Sequence, residues 1–173
     1  IILAAGSASG ASSLATGGWL NLTAGASAGG NGGSIFLSSG TSESGTTGAF
    51  TLETADGSGC TGAVLISTGR ASNGDAGALI IETGTASGGA AGAVWINAGA
   101  SDSGQGGALL LSGGSSTDTT GGQLQFLSGS ATQSASGGIE VNTSHATSGS
   151  SGDILIATGD ACGDSGNVWL TTG

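Results

Sequence analysis

The sequence predicts an all-β fold, a β-solenoid of the parallel β-helix kind, with twelve coils of a 15-residue repeat. Three observations predict it. Apolar residues recur in pairs spaced by two. A glycine stands two residues before each pair from the second copy onward. Another glycine closes most segments three residues after the pair. Self-similarity at a fixed period is the signature of repeat architectures, in which one copy cannot bury its apolar face alone.

The pairs are Ile1/Leu3, Leu20/Leu22, Ile35/Leu37, Phe50/Leu52, Val64/Ile66, Leu79/Ile81, Val94/Ile96, Leu109/Leu111, Leu124/Phe126, Ile139/Val141, Ile154/Ile156 and Val168/Leu170. The first step is 19 residues and every later one is 14 or 15. The four extra residues predict a bulged loop near Ser12–Ala15. Residues two apart lie on one face of a strand, so each pair reads as a short strand with one apolar side.

The leading glycines run from Gly18 and Gly33 to Gly152 and Gly166, and the closing ones from Gly6 and Gly25 to Gly159 and Gly173. Only Ala55 and Ser144 interrupt the closing column. Glycine at both ends permits corner conformations that a Cβ hinders. Two residues past the closing position every side chain is small, as at Ala8, Ser27, Ser42, Gly57, Ala71 and Ala86. The expected coil therefore has two short strands: the apolar one, and a second whose small residues face inward against it. Coils stacked about 4.8 Å apart give a rod on the order of 55 Å long. The usual hand of parallel crossovers predicts a right-handed winding.

Other classes fit less well. No i, i+3, i+4 apolar pattern supports helices, and glycine disfavours them by about 1 kcal/mol per position. Glycine is 39 of 173 residues, a bias that raises disorder. A mean hydropathy of +0.25 with evenly placed apolar residues argues the other way. The chain has no Pro and no period of three, which excludes collagen. Residues 1–173 read as a single array, in phase at both ends and without a polar cap, as expected of a fragment of a longer chain or a filament subunit.

The net charge is −10, and Arg70 is the sole Lys or Arg. Nucleic acid and anionic membrane surfaces are not expected as partners, because both need clustered basic residues. No apolar run reaches the roughly 18–20 residues of a membrane span, so membrane insertion is not expected.

Residues between the two apolar positions should face out of the coil. Eight of those twelve are large and apolar, too many for a solvated face. A continuous apolar ridge marks an interaction site, and Phe36, Leu65, Ile80, Trp95, Leu110, Leu155 and Trp169 would form a lateral interface. The partner would be another copy, another segment of the same protein, or another chain of a filament. The alternatives are a shifted register or a covering loop. The opposite face carries Thr41, Ser72, Thr85, Ser87, Ser115, Thr117 and Thr132. Such a ladder suits ice binding when regular, but Arg70, His145, Asp56 and Asp102 interrupt it. A hydrated surface able to carry O-glycans is the simpler reading.

Two sequons, Asn21-Leu22-Thr23 and Asn142-Thr143-Ser144, mark candidate N-glycosylation sites at Asn21 and Asn142. Cys60 and Cys162 are seven coils apart, roughly 33 Å along the expected axis. A disulfide needs Cα atoms within about 7 Å, so these cysteines either form an intermolecular disulfide, or one to a neighbouring segment, or remain free. Gly57–Gly62 matches G-x-G-x-x-G, which chance produces in so glycine-rich a chain. His145 is the only histidine and has no marked carboxylate partner, and the Asp residues lack the calcium-solenoid pattern. No catalytic, cofactor or metal residues are assigned, and the expectation is a protein that is not an enzyme.

Stretches such as Ser151–Ala161 (SGDILIATGDA) and Thr61–Ala71 (TGAVLISTGRA) resemble the Gly/Ser/Thr/Ala-rich β-solenoid repeat proteins of algal, especially stramenopile, cell surfaces. The resemblance covers nearly the whole chain on a low-complexity motif. It implies a secreted glycoprotein of the cell surface, with flagellar hairs (mastigonemes) as one setting. The expected function is thus an extracellular structural protein in a filament, hair or surface coat. An ice-binding protein or an adhesin-stalk module is the alternative.

Overall fold

Each fifteen-residue copy alternates an extended apolar segment with a tight bend. A computed structural model describes residues 1–9 and 15–172. Bends occur at 28–30, 43–45, 58–59, 72–74, 87–89, 102–104, 117–119, 132–134, 147–149 and 162–163, so the sequence period is also the structural period. Contacts group the chain into two units, Ile1–Glu82 and Thr83–Gly173.

The small-residue column sits one place before each bend and, where it is Ser, helps make it. Ser27, Ser42 and Ser101 accept a hydrogen bond through Oγ from the N–H of Gly30, Gly45 and Gly104, at 3.0, 2.8 and 2.9 Å. Ser116 accepts likewise from Thr119 N–H at 3.1 Å. Short hydroxyl side chains compete in this way with regular backbone pairing. Copies with Ala71, Ala86, Ala131, Ala146 or Ala161 at that place have no oxygen to offer. The bend at 147–149 is completed by Gly149 at φ +103°, where a Cβ would be strained.

The chain folds back across each bend to a different degree. In the first unit, Gly18, Gly33 and Gly48 donate their N–H to the carbonyls of Gly6, Gly25 and Gly40 at 2.8, 2.9 and 3.0 Å. In the second unit, Gly107, Gly122 and Gly137 bond Gly99, Gly114 and Gly129 at 2.9, 2.8 and 2.9 Å. The residue before the closing position sorts closed copies from open ones. It is Ala5, Ala24, Ser39, Ala98, Gly113 or Ser128 where the bond forms, and Thr54, Thr68, Thr83, Thr143 or Thr158 where it does not.

The cause is steric. A Cβ added to Gly33 would stand 3.2 Å from both the Ala24 Cβ and the Gly25 nitrogen, so the closed loop is already in close contact there. A Thr in place of Ala24 adds a second branch at Cβ. In the open copies that γ-methyl faces the leading glycine: Cβ atoms built on Gly62 and Gly166 would lie 3.6 and 3.5 Å from the Thr54 and Thr158 methyls. Thr83 Oγ1 also donates to the Gly92 carbonyl at 3.1 Å. The leading glycines therefore serve close approach. A Cβ on Gly25 or Gly99 would meet open space, which agrees with Ala55 and Ser144 standing at equivalent positions.

Thr83→Ala should close its loop, and Gly107→Ala should open one. Amide exchange measured by NMR should show Gly92 N–H slowed and residue 107 N–H quickened. The expected factor is about two- to tenfold, matching a net backbone bond of about 0.5–1.5 kcal/mol.

The expected β-solenoid is not present. Among the described residues there is no helix and no strand, hence no sheet, no parallel β-helix, no coil of two short strands and no winding hand to assign. A strand exists only where backbone groups pair across to a neighbour. Here the backbone bonds bring together the glycine ends of one loop, and among the described residues the apolar segments form no backbone pairs. The small residues expected on a second inward-facing strand stand one place before the bends instead. Ordering a solenoid coil would fix fifteen backbones for two apolar side chains set against Ala and Ser, a weak return against conformational entropy. The bulged loop expected near Ser12–Ala15 lies mostly outside the described residues.

Burial is correspondingly small. The surface is 16938 Å², against about 7,300 Å² for a folded monomer of 15.8 kDa and roughly 23,000 Å² for the unfolded chain. Among the described residues no side chain is buried, and only Ala24 and Ala146 are half-buried.

Candidate functional site

The apolar segments are the most distinctive surface feature, and extended backbone sets their geometry. Side chains alternate, so the outer two of each triplet share one side and the central one takes the other. Exposure follows that alternation: Val94 is 53%, Trp95 81% and Ile96 61% exposed. The same order holds at Ile35, Phe36 and Leu37 but not at the last triplet, where Leu170 is more exposed than Trp169.

Phe36, Leu65 and Ile80 in the first unit are all exposed, as are Trp95, Leu110, Leu155 and Trp169 in the second. No buried cluster gathers them among the described residues; each stands on its own copy. The flanking pairs are exposed too, so apolar surface lies on both sides of the segments and not on one ridge alone. Trp19 and Leu127 extend the exposed apolar set, at 86% and 78%. Their signal in the sequence was adjacency to an apolar pair, which the two-residue spacing rule passes over.

The sequons differ from one another. Thr23 Oγ1 donates to Asn21 Oδ1 at 2.8 Å, joining the two polar residues of the first sequon. The side-chain amide of Asn142 donates instead to the Glu140 carboxylate. Both asparagines are exposed.

Cys60 and Cys162 carry free, exposed thiols, one beside the bend at 58–59 and the other within the bend at 162–163. The 33 Å separation expected from stacked coils lapses with the coils. His145 is exposed beside the bend at 147–149. Among the described residues no group of three His, Cys, Asp or Glu side chains is placed to hold a metal ion, and no helix is long and apolar enough to cross a membrane. No family of known proteins, no curated protein and no solved structure matches this chain.

Proposed function

We propose that this chain is an extracellular structural protein whose repeated apolar segments associate with further copies in a filament, hair or surface coat. The observation that carries the reading is the exposure of large apolar residues on copy after copy, from Phe36 to Trp169, with none buried among the described residues. Apolar surface on this scale marks an interaction surface, because water disfavours it in proportion to its area. A repeat unit presents that surface at a constant chain spacing, which suits a partner with the same spacing. The Ser- and Thr-rich bends and the exposed sequons at Asn21 and Asn142 support a glycan-bearing cell-surface setting of the kind the algal resemblance implies. The lone Arg70 leaves an acidic chain suited to neither nucleic acid nor anionic membranes.

Negative-stain imaging and sedimentation of the purified chain test the proposal. Filaments or bundles that grow with protein concentration are expected. A monomer at every concentration, with thermal hysteresis in ice-growth assays, would replace the structural role with an ice-binding one.

A further inference from the structure

Three apolar segments, 63–67 (AVLIS), 93–97 (AVWIN) and 108–112 (ALLLS), combine two features. They carry no charged side chain, and among the described residues none of their backbone groups bonds to the protein. Their central residues Leu65, Trp95 and Leu110 are 81–85% exposed. Unpaired extended backbone with apolar side chains on both sides is a template for another strand.

We infer that these segments form strands between copies of the chain, by pairing backbone to backbone with the same segments of a second molecule. The inference rests on the structural role proposed above and adds its chemistry. It differs from a solenoid, in which the partner strand is the next repeat of the same chain.

Three observations favour a second copy as the occupant. Soluble proteins protect exposed strand edges with Lys, Pro or inward charges. This chain has neither Lys nor Pro, and its one Arg lies outside all three segments. Next, in-register pairing of identical chains stacks identical residues, which is costly where Glu82, Glu140 or Asp153 occurs but not within these segments. Finally, the surface exceeds that of a compact monomer by about 9,600 Å², far above the roughly 800 Å² per partner that a stable interface uses. Once segment 93–97 has paired, its neighbour 15 residues on is tethered beside its own match, at an effective concentration of about millimolar.

The test uses the full chain and two triple variants of equal charge. One is Leu65→Lys/Trp95→Lys/Leu110→Lys. The other places the lysines in bends, as Asn73→Lys/Ser103→Lys/Ser134→Lys. Wild-type and bend-variant assemblies should give a diffraction spacing of about 4.7–4.8 Å, the distance between paired strands. The segment variant should assemble at least about tenfold more slowly than the bend variant, or remain monomeric. Assemblies that lack the spacing overturn strand pairing and leave the structural role standing. Equal rates for the two variants overturn it as well. Small oligomers that show the spacing but never filaments support pairing and remove the structural role, and a wild type that stays monomeric removes both.

Discussion

Replacing Phe36, Leu65, Ile80, Trp95, Leu110, Leu155 and Trp169 together with Ser should leave the chain monomeric at concentrations where the parent assembles. Each of these side chains is exposed, and the proposed assembly would cover it. Full burial of one such side chain contributes about 1.5–3 kcal/mol. Losing only two contacts of about 2 kcal/mol each weakens association roughly a thousandfold. Sedimentation velocity across a concentration series reads the change directly. Serine keeps the net charge, so any loss of assembly reflects apolar area and not repulsion. Because no side chain is buried among the described residues, the bends should survive, and the Gly107 and Gly122 amides should keep their parental exchange rates. Assembly unchanged in the sevenfold variant would count against these residues as the interface.

The second large effect is ionic. Each molecule carries a net charge of −10 and only one Lys or Arg, so molecules repel whichever way they meet. Raising salt from 0.01 to 1 M shortens the screening length from about 30 to about 3 Å. Assembly should therefore accelerate with salt, by about tenfold or more over that range, with turbidity half-time as the readout. Lowering pH toward the sequence pI near 4.1 should act in the same direction, because it removes net charge from every copy. Assembly that slowed with salt would point to attraction between unlike charges, which this composition scarcely contains.

Legibility in the sequence was high for period and low for pairing. The 14- and 15-residue steps reappear as bends, and the short step that follows Phe50/Leu52 reappears between the bends at 58–59 and 72–74. Side-chain alternation also carried over, as Val94, Trp95 and Ile96 show. The role of the small column did not, because Ser27 and Ala71 look alike to a packing argument while only Ser27 has an oxygen that can hold a bend. The five Thr residues that keep loops open were in plain view in the consensus. Their effect depends on contact with a glycine eight or nine residues away, which residue type alone does not disclose.

By itself the sequence determined the repeat length, the acidity and the apolar triplets, since these depend on composition and spacing alone. Only the tertiary structure decided whether neighbouring triplets meet. A backbone hydrogen bond is a relation between two distant residues, and the bonds that join Gly25 to Gly33 and Gly99 to Gly107 close single loops, so that among the described residues no backbone bond joins one apolar triplet to another.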